Sequence, residues 1–109
     1  LGVSRENICT ALKAEGVAGL ETGYANIHLL PMYQQKIAYG SRGFPWSSDI
    51  CKRDVSYAKG ICPVAEEFHD ITFLGFEMCL HELEDEDVDL IVAAFRKVWG
   101  NLDNLAVVA

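Results

Sequence analysis

No apolar run in this 109-residue sequence is long enough to cross a bilayer: the longest, residues 90–95, has six residues, against the roughly 20 that a spanning helix needs. The N-terminus also lacks the basic segment and apolar stretch of a secretion signal. A cytoplasmic setting is expected by inference; the sequence opens at Leu1 rather than methionine, so targeting information upstream could have been lost. Phosphate-cradling patterns such as G-x-x-x-x-G-K and G-x-G-x-x-G are missing, which argues against an autonomous nucleotide site. No serine or cysteine stands in a nucleophile elbow or similar signature, although His28, His69 and His81 are present as bases. Internal repeats and low-complexity tracts are missing too.

Cysteine is sparse and unpatterned. Cys9, Cys51, Cys62 and Cys79 are spaced by 42, 11 and 17 residues, with no C-x-x-C pair. They are expected to be free thiols, because nothing points to an oxidising compartment and a buried cysteine behaves as a small hydrophobe. Cys79-x-His81 with Cys62 and His69 matches no common zinc-ligand spacing, so no metal is expected. Basic residues are also few: nine against sixteen acids, for a net charge of -7. Residues 1–60 carry +2 and residues 61–109 carry -9. A protein that grips phosphates needs a basic face, so nucleic acid is disfavoured as a partner. The acidic excess is taken as a solvated helix face.

What is present is apolar: half of the residues, with 23% charged, the profile of one globular domain spanning 1–109 around one core. Residues 5–15 have the pattern of a helix, with Ser4 as N-cap, Ile8, Ala11 and Leu12 on one face, and Gly16 as the stop. Residues 17–24, interrupted by Gly19 and Gly23, make at best a short irregular strand. Residues 27–37 hold one or two helical turns, starting near Pro31, which is tolerated only in a first turn. From 39 to 61 no period is sustained, yet Phe44 and Trp46 are large aromatics that a merely solvating linker does not need. Loops of that length are commonly functional or disordered. If this one is functional, Phe44-Pro45-Trp46 is its docking element.

Pro63 suits the first turn of a short helix in which Val64 and Phe68 share a face and Glu66 and Glu67 favour the dipole's positive end. Leu74, Phe76, Met78 and Leu80 alternate with Phe73, Gly75, Glu77 and Cys79, the period of a half-buried strand. The last element is the plainest. Val88, Ile91, Val92, Phe95, Val98 and Leu102 form one helical stripe, acids open it, Arg96 and Lys97 close it, and Gly100-Asn101 stops it. Phe95, Ile91 and Phe76 are therefore expected in the core. His69 and His81 read as surface histidines, whereas His28 stands between strand and helix amid two tyrosines and is a candidate ligand contact.

The order of Ala14-Glu15-Gly16-Val17, Tyr24-x-x-x-His28-x-x-Pro31-x-Tyr33, Cys62-Pro63-Val64-Ala65-Glu66, an alternating strand, and Asp85-Glu86-Asp87-Val88-Asp89-x-Ile91-Val92-x-Ala94-Phe95-x-Lys97-Val98 resembles the C-terminal portion of the DegT/DnrJ/EryC1/StrS family of sugar aminotransferases. The resemblance covers nearly the whole chain. It implies an α+β fold, a small antiparallel sheet flanked by helices, belonging to the small domain of a fold-type I enzyme dependent on pyridoxal phosphate. Such enzymes move an amino group, usually from glutamate, onto a keto sugar, commonly nucleotide-linked, for polysaccharide or antibiotic synthesis. Two departures from the pattern stand out: Glu84 where Ser or Thr often caps the last helix, and Leu30 in place of the Gln common before the proline.

The resemblance also implies what this segment does not bring. The Schiff-base lysine, the acid on the pyridine nitrogen and the phosphate cradle belong to the preceding large domain, and Lys13, Lys36, Lys52, Lys59 and Lys97 fall at none of the family's catalytic positions. The expectation is a domain without catalytic residues or cofactor of its own, incompetent alone. In a full-length enzyme His28, Tyr33, Phe44 and Trp46 would line the sugar entrance, and a nucleotide sugar would be the substrate. Its partners would be the large domain or a second copy in a homodimer. The alternative is a stand-alone self-associating or partner-binding module derived from that domain.

Overall fold

The computed structural model describes residues 2–106. Ser4 begins its first helix as the sequence predicts: its hydroxyl accepts the Asn7 amide at 3.2 Å, satisfying one of the amide donors a helix start leaves free. Helix α1 spans Arg5–Ala14. It ends at Gly16, whose φ of +92° is a conformation that only glycine adopts cheaply. The Gly16 amide donates to the Lys13 carbonyl and the Val17 amide to the Leu12 carbonyl, each at 3.0 Å. These two bonds satisfy carbonyls the helix would otherwise orphan, and Val17 and Leu12 meet in the core, the apolar contact typical of this ending.

Contacts along the chain gather into two compact units, residues 2–23 with 71–106 and residues 24–70. In the first, Ile8, Leu12, Val17, Ala94 and Val98 form the core. Helix α4 spans Asp85–Trp99 and supplies the last two. Its buried stripe is rotated slightly from the expected one. Ala94 is buried, Ile91 and Phe95 are half-buried, and Val92 is exposed. A small side chain facing α1 lets two helices approach closely, so the contact line runs through Ala94 rather than Val92. The Phe95 ring lies 5.8 Å from that of Trp99 and 6.5 Å from that of Phe76, and Phe76 too is only half-buried. The non-standard cap is compensated locally: the Asp87 carboxylate accepts the Glu84 amide at 3.1 Å, with Asp85 and Glu86 alongside it at the positive end of the helix.

The expected strand over 73–80 shrinks to Gly75–Phe76 (β2), which pairs antiparallel with Leu20–Glu21 (β1) in the register Leu20 opposite Phe76 and Glu21 opposite Gly75. Met78 and Leu80 are exposed, Leu80 by 72%, and the chain turns with His81 donating to the Met78 carbonyl. Alternation alone does not make a strand; a partner of equal length must accept it. β1 offers two residues between Gly19 and Gly23, both at positive φ. At Gly19 a side chain would also crowd the Glu77 carbonyl at 3.2 Å. The result is an α+β arrangement with a two-stranded sheet, and among the described residues no helix is long and apolar enough to cross a membrane.

In the second unit a 3-10 turn, Ile27–Leu29, leads into α2, Pro31–Gln34, and α3 covers Pro63–Glu67; a π-helical turn, Phe68–Thr72, follows across the boundary at residue 70. Both prolines sit in first turns, where the missing N–H costs nothing. Between α2 and α3 the chain runs through consecutive turns rather than regular structure, closed by Ser47 to Gly43, Ser48 to Pro45 and Cys51 to Ser48 backbone bonds. On α3 the outcome inverts the expected amphipathicity: Val64 and Phe68 are exposed and Glu66 is buried. Residues 63–67 make barely more than one turn, so local hydrogen bonds, not an apolar stripe, decide which side faces inward.

Candidate functional site

The 3-10 turn places His28 where Glu66 can reach it. His28 Nε2 lies 2.8 Å from Glu66 Oε1, and the two side chains are only 11% and 8% exposed. The carboxylate has further donors. The Gly60 amide lies 2.8 Å from both of its oxygens, and the Cys62 amide donates to Oε1 at 3.3 Å. Burial pushes the Glu66 carboxyl up, but the donors Gly60, His28 and Cys62 outweigh burial and hold it below the ordinary glutamate range. Glu66 thus ties positions 28, 60 and 62 to α3 with one side chain.

A second clamp acts on the backbone. The Gln34 side-chain amide donates to the His28 carbonyl at 2.7 Å and to the Tyr57 carbonyl at 2.6 Å. This brings Tyr57, deep in the irregular segment, beside α2. Its ring centroid lies 5.1 Å from that of Tyr33 and 6.1 Å from that of Trp46, and the Trp46 indole N–H donates to the Tyr57 hydroxyl at 2.9 Å. Tyr33 and Trp46 meet edge to face at 6.4 Å, a favoured arrangement for aromatic rings.

Beside these contacts lies an open cavity of about 520 Å³ lined by His28, Tyr33, Tyr57, Cys62, Asn26 and Ala65, with Ala25 and Ile27 completing the wall. Of the four residues singled out from the sequence, His28 and Tyr33 line it. Trp46 stands against Tyr33 and Tyr57 without lining the cavity. Phe44 instead packs its ring 5.9 Å from that of Tyr39 and is 44% exposed, so Phe44-Pro45-Trp46 is split between two aromatic contacts. Sequence reasoning missed Glu66, Tyr57 and Gln34. The aromatic at 57 in an otherwise polar stretch was a usable signal; Gln34 carried none.

The other ionic cluster of this unit is at the surface. Lys59 donates to Asp70 at 2.7 Å, and His69 Nδ1 lies 3.1 Å from the same carboxylate. Lys59 foremost and His69 next hold the Asp70 carboxyl below its usual range, and Asp70 in turn raises Lys59. In the first unit a groove of about 420 Å³ beside Val17 and Ile91 includes Glu15 and Lys97, whose charges are spent on each other at 2.7 Å. The four cysteines are free, and among the described residues no three His, Cys, Asp or Glu side chains converge on a metal position.

Chemically, the cavity of the second unit offers an imidazole backed by a carboxylate, two phenol rings in contact with each other, and a thiol. That set can hydrogen-bond and orient a polar ligand against aromatic faces. Its wall contains neither lysine nor arginine. No family model, no curated protein and no solved structure matches the chain.

Proposed function

We propose that this chain is the small C-terminal domain of a sugar aminotransferase of the type its sequence resembles, and that it holds the substrate rather than carrying out the proton transfer. The observation that supports the reading most is the buried His28–Glu66 pair opening on a cavity walled by Tyr33 and Tyr57. Aromatic faces with a few fixed polar groups are what an amphiphilic ring such as a sugar needs for orientation. Pyridoxal phosphate requires a lysine for its imine and cationic or amide donors for its phosphate, and the cavity wall does not fit it. Lys59 is committed to Asp70 and Lys97 to Glu15. In this reading the cofactor is held by a large domain, and His28, Tyr33 and Tyr57 bind and orient the sugar.

The reading frame upstream of Leu1 tests the assignment. A lysine-bearing domain continuous with residue 1 is expected, and an initiation codon directly before Leu1 would overturn it. Mixing the 109-residue chain with pyridoxal phosphate should give no stoichiometric borohydride-trapped adduct; an adduct on one specific lysine would contradict the division of labour. A second reading, a self-associating module, is favoured by Leu80 and Leu90, 72% and 70% exposed in the first unit. Exposed apolar surface tends to find a partner. A homodimer at micromolar concentration is its expectation, and a monomer by sedimentation equilibrium up to about 100 µM would dismiss all but a weak contact.

A further inference from the structure

Glu66 does more than close a turn. The two nitrogens of an imidazole are not equivalent once one has a fixed partner: when a carboxylate accepts from Nε2, that nitrogen keeps the proton and Nδ1 of the neutral ring is left as an acceptor. Glu66 is deprotonated by preference, because it already receives the Gly60 and Cys62 amides, so it can only accept from His28. Nδ1 of His28 makes no hydrogen bond with any described residue. Yet no buried side-chain nitrogen or oxygen among the described residues lacks a partner. Nδ1 is therefore not sealed in the interior, and His28 lines the cavity shared with Tyr33 and Tyr57.

We propose that Glu66 is a positioning residue that locks His28 as the Nε2–H tautomer, so that the Nδ1 lone pair is presented to the cavity as a hydrogen-bond acceptor. The ligand class this selects is one that brings an O–H donor to Nδ1 while its ring lies against Tyr33 or Tyr57. Gln34 completes the device, since it holds the His28 and Tyr57 carbonyls through one amide and so fixes the distance between acceptor and aromatic wall. The inference deepens the substrate-holding role proposed above and depends on that cavity being a ligand site.

Long-range nitrogen–proton NMR of the imidazoles in the 109-residue chain, titrated until they are neutral, tests it with methyl α-D-glucopyranoside as a neutral hydroxyl-bearing probe. His28 should carry its proton on Nε2, slow to exchange, and its Nδ1 signal should move saturably with the glycoside, while the surface histidines His69 and His81 stay still. In Glu66→Ala the slow proton should vanish and affinity should fall about tenfold, the scale of one lost charged hydrogen-bond partner. Glu66→Gln, which keeps an oxygen where Oε1 stood, should restore the tautomer and bring affinity back to within about threefold.

A wild-type proton on Nδ1, an Nδ1 signal that the glycoside never moves, or unchanged affinity in a folded Glu66→Ala would each overturn the proposal. Should Glu66→Ala not fold, Glu66→Gln decides alone: a proton on Nδ1 with undiminished affinity overturns it. An upstream frame without a lysine-bearing domain would defeat the aminotransferase reading and leave this result standing. A silent Nδ1 would defeat the tautomer lock and leave the domain assignment intact.

Discussion

Residues 2–23 with 71–106 bury Ile8, Cys9, Leu12, Val17, Ala94 and Val98, whereas among the described residues of 24–70 the one buried residue is a charged one, Glu66. The first unit is held by removing apolar area from water, which is insensitive to pH and proportional to surface. The second is held by directed bonds: a carboxylate with three donors, an amide with two carbonyls, and three aromatic rings in mutual contact. Directed bonds contribute little net stability each but specify geometry. A unit organised around polar groups and rings has those groups available to a ligand, while an aliphatic core offers only bulk.

The comparison breaks hardest at Leu12, which is fully buried. Leu12→Ala should cost about 2–5 kcal/mol, because the transfer loss and the cavity left behind add, and thermal unfolding followed by circular dichroism measures it. Phe95→Ala should cost less, about 2 kcal/mol, since the ring is half-buried rather than enclosed and a fully buried phenylalanine loses roughly 3–5. Equal effects of the two substitutions would mean that the apolar unit is not centred on the contact between α1 and α4.

Acid should separate the units. The Glu66 carboxyl is held below its ordinary value, so its charged form contributes stability that is present above the unfolded-state value of about 4.3 and lost as pH falls through the lower folded value. Asp70, held down by Lys59 and His69, adds in the same direction. Measured against the intrinsic exchange rate at each pH, the Gly60 and Cys62 amides should lose protection through that acid window while amides of α1 and α4 keep theirs. Simultaneous loss in both sets would mean that the two units do not differ in what holds them.

The smallest expected effect sharpens it. Tyr57→Phe removes the acceptor of the Trp46 indole N–H while keeping the ring, and should cost about 1 kcal/mol, with a change in Trp46 emission that Trp99 does not share. A larger loss would show that the aromatic cluster carries more of the unit than its hydrogen bond suggests.

Much of the fold was legible because its chemistry is local. Ser4 and Gly16 bracket α1 by capping and by a positive φ, Pro31 and Pro63 mark first turns, and the extent and charge order of α4 are set within fifteen residues, although its buried line is not. The alternation over 73–80 misled because strand length is decided by the partner, and that partner, β1, lies more than fifty residues away and is two residues long. The site was half legible. His28 and Tyr33 stood out by their neighbours in sequence, and they line the cavity, while Phe44 stood out by size alone and packs elsewhere.

By itself, then, the sequence determined the helices, their ends, the acidic charge and the histidine worth watching, since propensity, capping and dipole act over three or four residues. Long-range contacts, by contrast, set the inward turn of Glu66 to His28, 38 residues away, and the reach of Gln34 to Tyr57 across 23. A glutamate in a first or second helical turn has the same local energy facing water or facing an amide. What selects the inward rotamer is the set of donors that distant backbone segments bring to it, and no local pattern encodes them.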